Sequence, residues 1–160
     1  MLTITLITVG KLKERFYLAA AEEYAKRLKA YCNFQMVELP EYRLPEDPTP
    51  AQIANGLQKE AMQVNEKLPK GAWLCVLTPE GKLFSSEALA KEIDHVKLSG
   101  KSSLCFLIGS SFGLDASLKA KADLRLSMSP MTFPHHLARI MVMEQLYRAQ
   151  SILAGSKYHK

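Results

Sequence analysis

The sequence predicts an α/β fold, a mostly parallel sheet with helices on both faces, and three observations carry that expectation. Strand-like and helix-like periods alternate along all 160 residues, the order that lays crossover helices over parallel strands. Two stretches, Ala72–Leu77 (AWLCVL) and Ser103–Ile108 (SLCFLI), are unbroken apolar runs of the kind covered on both faces. Breakers such as Pro69-Lys70-Gly71 and Ser99-Gly100-Lys101 close a helical period just before each of those runs.

Leu2–Val9 alternates apolar residues with Thr and is rich in β-branched types, so it opens the chain as a strand. A helix follows from about Glu14 to Ala30, with Tyr17, Ala21, Tyr24, Leu28 and Tyr31 as its core stripe and Lys26, Arg27 and Lys29 outward. Phe34–Leu39 is the second strand. Pro40–Pro50 holds four prolines among Glu41, Glu46 and Asp47, which cannot sustain regular structure. It reads as a mobile loop, with a lid as one role open to it.

Thr49 then caps a helix whose first position is Pro50, and Ile53, Leu57, Ala61, Val64 and Leu68 set its period. After Ala72–Leu77 the chain turns at Thr78-Pro79-Glu80-Gly81. Ser85 or Ser86 caps a helix that reaches Leu98 with Leu89, Ile93 and Val96 inward. Ser103–Ile108 ends at Gly109-Ser110-Ser111-Phe112-Gly113, Asp115 caps a short helix to Ala122, and Leu124–Met128 is a last short strand.

A Pro-bounded loop, Ser127–Pro134, leads into a helix from His135 to Leu153. At 100° per residue its apolar members, among them Leu137, Ile140, Met141, Met143, Leu146 and Ile152, point nearly all round. A helix of that kind has to be covered on every side. A chain this short has few layers to do so, and a second copy is an economical cover, so a homodimer is expected. Glu144 and Arg148, four residues apart, either pair with each other or belong to a site.

The length fits one domain spanning residues 1–160. Hydrophobic residues at 48% and charged residues at 23% are ordinary for a globular protein. No apolar run approaches the roughly 18–20 residues a bilayer requires. Met1–Gly10 lacks a basic segment and a cleavage site, so a cytoplasmic protein is expected. The net charge of +5 favours polyanionic partners such as nucleic acid. Cys32, Cys75 and Cys105 are odd in number and far apart. That spacing speaks against a disulfide framework or a zinc site and for core residues.

Ligands of open α/β sheets sit outside the carboxyl ends of the strands. Three loops meet that description: Thr78–Gly81, Gly109–Gly113 and Met128–Pro134. The glycines of GSSFG let backbone approach a ligand, or simply make a tight turn. The segment is neither GxGxxG nor a Walker loop, so no dinucleotide or triphosphate site is indicated. His135 and His136 open the last helix, where they contact an anion or form a surface pair. No third ligand stands at metal spacing, so no metal is expected. His95 reads as a solvated surface residue. The tail Lys157-Tyr158-His159-Lys160 offers cation, aromatic ring and imidazole within four residues, enough to grip a nucleotide if it is not frayed.

LIGSSFGL at Leu107–Leu114, LSMSPMTFPHHLARIMVMEQLYRA at Leu126–Ala149, the terminal YHK and the opening ITVGKLKE at Ile7–Glu14 resemble the bacterial large-subunit rRNA pseudouridine N3-methyltransferase family of the SPOUT superfamily. The resemblance spans essentially the whole chain. It implies a C-terminal trefoil knot, a rare exception to unthreaded connections. It further implies a homodimer through the last helix, and S-adenosylmethionine as cofactor.

Carried over by position, the cofactor would meet Leu77, Gly109, Met128, Ser129, Pro130, Met131, Thr132 and Phe133. The catalytic group would be Arg148, Tyr158, His159 and Lys160, presented to the partner subunit's cofactor and receiving a pseudouridine of 23S rRNA, with the assembled ribosome as expected substrate. His159 is the implied base and Arg148 or Lys160 the stabiliser of the charge that forms on N3. Two positions depart from the family pattern: Ser110 stands where a second glycine is usual, and Lys157 where a proline often precedes the Tyr-His pair. Two rival readings stay open, a non-catalytic rRNA-binding or ribosome-assembly module and a methyltransferase of another RNA.

Overall fold

The computed structural model describes residues 1–160. Five strands, β1 (Thr3–Val9), β2 (Asn33–Leu39), β3 (Trp73–Leu83), β4 (Ser103–Ile108) and β5 (Leu124–Ser127), alternate with α1 (Arg15–Leu28), α2 (Pro50–Lys67), α3 (Ser86–Leu98), α4 (Ala116–Lys121) and α5 (His135–Leu153). All strand pairs are parallel, in the order β2-β1-β4-β3-β5. The central strands are apolar on both sides because each side is roofed by helices. Ile4, Leu6, Cys75 and Phe106 face α1, α3 and α5. Ile7, Val76, Cys105 and Leu107 face α2 and α4. Full burial of side chains this size contributes about 1.5–3 kcal/mol each.

The helix starts are those the sequence signals. Thr49 and Gln52 form a reciprocal capping box ahead of Pro50. Ser85, rather than Ser86, accepts from the Ala88 amide at 3.0 Å. Asp115 accepts from the Ser117 amide at 3.1 Å. The turn expected at Thr78–Gly81 lies inside β3 instead of ending it. Leu77 and Lys82 both face Leu126 of β5, so residues 78–81 are extruded between two paired segments. Pro79 cannot donate to a ladder, which is why the pairing lapses there and resumes at Lys82.

Helix α5 lies between α1 and α3, although it is reached from β5 at the far edge of the sheet. To get there, residues 128–134 return across the ends of β3 and β4 and past the exit of β3 into α3. This passage is of the knotted type.

The inner side of α5, Val142, Met143, Leu146 and Ala149, is buried on α1, α3 and the sheet. Its outer side is not: Leu137 is 38% exposed, and Ile140, Met141, Ile152 and Leu153 are only half-covered. No helix is long and apolar enough to cross a membrane.

Candidate active site

The carboxyl ends of β3, β4 and β5 open on a cavity of about 740 Å3, within the usual range for small-molecule sites. Its walls are residues 77–80, 108–113, 127–129 and 131–134, with His135 and Ala138 of α5 and Lys119 of α4. Gly109 is required at its centre: a Cβ there would lie 2.2 Å from the Gly113 carbonyl oxygen. The loop beyond it is a tight turn closed by the Gly113 amide on the Ser110 carbonyl at 2.9 Å. At the rim Lys119 donates to Glu80 at 2.6 Å and holds that carboxyl down at about 2.

His135 and His136 are not a surface pair. Their rings lie 4.1 Å apart, tilted, and both are half-buried. A Cβ at position 10, where Gly10 adopts φ 119°, would come within 3.3 Å of His135 Nε2. His135 lines the cavity, and its Nε2 is buried without a hydrogen-bond partner in the chain. Burial, helped by His135 and Arg139, pushes the His136 pKa down. The His136 ring is therefore suited to acting as a neutral polar wall.

A second cavity of about 370 Å3 lies beneath the irregular strap that follows β2, and shares Ser110 and Phe112 with the first. Glu60 of α2 is only 6% exposed. Its carboxylate accepts from Ser110 Oγ at 2.8 Å and from the Tyr42 amide at 2.8 Å. Burial pushes its pKa up, outweighing those two donors, and Glu41 adds to the rise. Glu41 accepts from the Ser111 hydroxyl at 2.8 Å and from the Ser111 amide at 3.3 Å. The strap is irregular, as its prolines require, and is tethered at two points.

The C-terminal tail folds back on α5 and gathers a second set of groups at the middle of that helix and the start of α3. Glu144 Oε1 accepts from Arg148 Nη2 at 2.6 Å and from the Tyr158 hydroxyl at 3.0 Å. Tyr158 packs on Tyr147 at 4.7 Å, and the Arg148 guanidinium lies 4.7 Å from the centre of the Tyr158 ring. Burial and the hydrogen bond to Glu144 push the Tyr158 pKa up. His159 Nδ1 is 3.1 Å from Arg148 Nη1 and its Nε2 is 2.6 Å from Glu87 of α3. Arg148 can only donate, so the pairing corresponds to an imidazole that accepts at Nδ1 and donates from Nε2. Glu144 and Arg148 thus do pair, and they also organise the tail.

Residues 2–159 match the family described as Predicted SPOUT methyltransferase. The chain belongs to the SPOUT methyltransferase family. It is similar to proteins named Ribosomal RNA large subunit methyltransferase H in Moorella thermoacetica, at 39% identity over all of both chains, and in Desulforamulus reducens, at 43% identity over all of both. The same name belongs to an Acetivibrio thermocellus protein 40% identical over 98% of this chain and 99% of its own. In structure it is similar to a methylase family protein of Haemophilus influenzae, with TM-score 0.50 and 14% identity over 99% of this chain and 70% of that one. That likeness concerns the fold alone.

In this SPOUT methyltransferase Leu77, Gly109, Met128, Ser129, Met131, Thr132 and Phe133 line the first cavity, while Pro130 is exposed and does not. Arg148, Tyr158 and His159 come together with Glu144, and Lys160 is exposed beside them. The tail does not line its own cavity: Tyr158 and His159 are held at Glu144 and Glu87, and Glu144 stands six residues, about 9 Å of helix, beyond Ala138 of the cavity wall. His95 is exposed, and Cys32, Cys75 and Cys105 are buried thiols. No cluster of three metal-ligating side chains is present.

Sequence reasoning missed Glu60, Arg139 and Glu87. The signal for two of them was available. Glu60 falls three residues after Leu57 on the inner stripe of α2, and Arg139 four before Met143 on that of α5. A charge on a core stripe needs a partner, and neither partner was visible in the sequence.

Proposed function

We propose that this enzyme transfers a methyl group from S-adenosylmethionine to N3 of a pseudouridine in large-subunit rRNA, acting on the ribosome as a homodimer. The observation that carries the reading is the cavity at the strand ends, where seven of the eight positions implied for the cofactor converge. Those residues fit the cofactor. Leu77, Ile108, Met128 and Phe133 offer apolar walls for adenine, the backbone at Gly109 can approach closely, and the unpartnered His135 Nε2 gives a polar atom that needs a ligand. When bound, the cofactor supplies an electrophilic sulfonium methyl.

The chain's own residues account for the rest. N3 carries an imide proton that leaves as the nucleophile forms. His159 is placed to take it at Nδ1, the ring nitrogen without a proton in this pairing, once Arg148 turns from that atom to the substrate, while Nε2–H stays on Glu87 and orients the ring. Arg148 and Lys160 offset the negative charge on N3, with Arg148 fixed by Glu144 in advance of the reaction. Tyr158 presents a ring edge beside them. The pairing edge of the base must be free, so the target is unpaired or extruded.

The homodimer reading rests on the uncovered side of α5. A groove of about 520 Å3 runs beside it, lined by Tyr24, Phe84, Met128, Met141 and Glu144 among others. Two α5 helices paired antiparallel across this side would bring one subunit's tail toward the other's cavity, completing each site from two chains.

The test is transfer of labelled methyl from S-adenosylmethionine to ribosomes and to separate subunits lacking the modification, read by nucleoside mass spectrometry. N3-methylpseudouridine in large-subunit rRNA is the expected product. Label in another RNA would reassign the substrate, and cofactor binding without label on any RNA would overturn the reaction.

A further inference from the structure

We infer that Glu60 is a positioning residue for the cofactor loop, and that it joins this loop to the strap at residues 40–48 so that the two order as one unit. The inference rests on reading the larger cavity as the cofactor site. Its support is the distribution of bonds around one buried carboxylate. Oε1 takes the Ser110 hydroxyl at 2.8 Å and Oε2 takes the Tyr42 amide at 2.8 Å, so each oxygen holds a different segment. Ser110 is the residue next to Gly109, and it lines both cavities.

A hydrogen bond between a hydroxyl and a buried carboxylate is among the stronger neutral-to-charged kind. Losing it would leave Glu60 desolvated and underpaired, so the loop and the carboxylate are not free to part. On the far side Tyr42 lies 3.2 Å from where a Cβ on Gly56 would stand. The strap is therefore seated closely on α2, where a side chain at position 56 would press on Tyr42 and Leu44. A second tether, Glu41 on Ser111, reaches the same loop from the strap's own start. Both serines of GSSFG are held from this side, and each hydroxyl proton is committed to a carboxylate of the strap side.

Position 110 has no positive φ, so serine is tolerated there where the family usually has glycine. Its hydroxyl gives the chain a contact that glycine lacks. The consequence is mechanical: closure of residues 109–113 on a cofactor pulls on Glu60, and through the Tyr42 amide it quietens the strap. An open strap, conversely, leaves the loop less well formed and the cofactor weaker.

The experiment titrates S-adenosylhomocysteine into the full-length wild type and the variants Ser110→Ala, Glu60→Gln and Glu41→Ala by calorimetry. Amide exchange of residues 41–46 is followed in parallel, with and without that ligand. Ser110→Ala is expected to weaken binding roughly five- to tenfold, the loss of one charge-assisted bond, and to raise KM for the cofactor by more than it lowers kcat. It should also speed exchange at residues 41–46, which it does not touch, and abolish their protection by ligand. Glu41→Ala, an exposed change that spares folding, should act in the same direction by about twofold. A role confined to stability would lower Tm without moving the exchange response. Well-folded Ser110→Ala with wild-type affinity and wild-type exchange would overturn the inference alone. A wild type that does not bind S-adenosylhomocysteine would overturn the cofactor reading, and this inference with it.

Discussion

The Arg139 guanidinium, 1% exposed, donates to the Glu38 carboxylate at 2.5 Å across 101 residues of sequence. It donates also to the Gly10 carbonyl oxygen at 2.7 Å, while Glu38 accepts from the Leu12 amide at 3.0 Å. One side chain of α5 thereby ties the ends of β1 and β2 to the start of the helix, just behind His135 and the cavity wall. The two partners are unequal. Glu38 is 30% exposed and can be rehydrated, whereas Arg139 cannot.

That asymmetry predicts the stability of two variants. Glu38→Ala leaves a buried guanidinium with only a carbonyl to meet it and should cost on the order of 3 kcal/mol. Arg139→Met removes the buried charge itself and leaves Glu38 its amide and some water, so the loss should be smaller. Urea unfolding of both variants measures the difference. A larger loss for Arg139→Met would mean that the guanidinium's bond to Gly10 dominates.

Acid should act on the two carboxylates Glu38 and Glu60 with opposite signs. Burial pushes Glu38 up, but the Leu12 amide and Arg139 outweigh it and hold the carboxyl below its ordinary value. Its contribution is present above the unfolded pKa and lost as pH falls through the folded one. Glu60 is raised, so its contribution is full below the unfolded pKa, near 4.3, and is lost as pH rises through the folded value. Glu60→Gln removes the only one of these two that gains on acidification. The variant's stability should fall more steeply than the wild type's between pH 7 and pH 5, read from urea midpoints at both. Parallel curves would show that Glu60 titrates as an ordinary surface carboxyl.

Most of the fold was legible because its signals are local. Thr49-Pro50, Ser85 and Asp115 name their own helix starts, and the runs at residues 72–77 and 103–108 need two covered faces whatever lies on them. The passage of residues 128–134 was not legible from periodicity. Threading is a relation between segments, and only the resemblance implied it. Residues 78–81 read as a turn that ends a strand, whereas β3 runs through them with a break in register, and its resumption at Lys82 depends on β5 being alongside. Glu60 and Ser110 were each visible as single residues, and the bond between them spans 50 residues. The cavity residues were legible by a different route, since every loop at a strand's carboxyl end is a candidate wall.

Gly109 should tolerate no side chain. A Cβ would lie 2.2 Å from the Gly113 oxygen and 2.9 Å from Leu114 Cγ, so Gly109→Ala must displace backbone in the centre of the cavity. Binding of S-adenosylhomocysteine should fall by more than tenfold, while Gly155→Ala, which strains a backbone at φ 70° but at a position outside the cavity wall, should leave affinity alone. Calorimetry on both variants decides; equal affinity in Gly109→Ala and wild type would exclude the loop from the cofactor site.

The three thiols should be silent in the folded protein. Burial pushes Cys32 up to about 11 and Cys105 up to about 12, and raises Cys75 further. The reactive form is the thiolate, and none is available near neutrality or open to solvent. Ellman's reagent at pH 8 should therefore titrate almost no thiol in the native state and all three in urea. Fast reaction of one equivalent without denaturant would show local opening, with Cys32 at the end of α1 the first residue to test.

The tail gives the sharpest separation of roles. Arg148, Tyr158 and His159 are clasped to Glu144 and Glu87, and none of the three lines the chain's own cavity, so removing them should not disturb cofactor contacts in the same subunit. His159→Gln should cut turnover on ribosomes by roughly 10²–10⁴, the usual worth of a positioned acid or base, with S-adenosylhomocysteine affinity within about twofold of wild type. Deleting Tyr158–Lys160 should do the same more severely. A mixed dimer of one tail-deleted chain and one Gly109→Ala chain then discriminates the geometry. If each site draws its tail from the partner, the mixed dimer retains one intact site of two, so the purified mixed dimer has about half of wild-type activity and a randomly paired co-expressed pool about a quarter. If each chain serves its own cavity, every site in the mixture is defective and no activity returns.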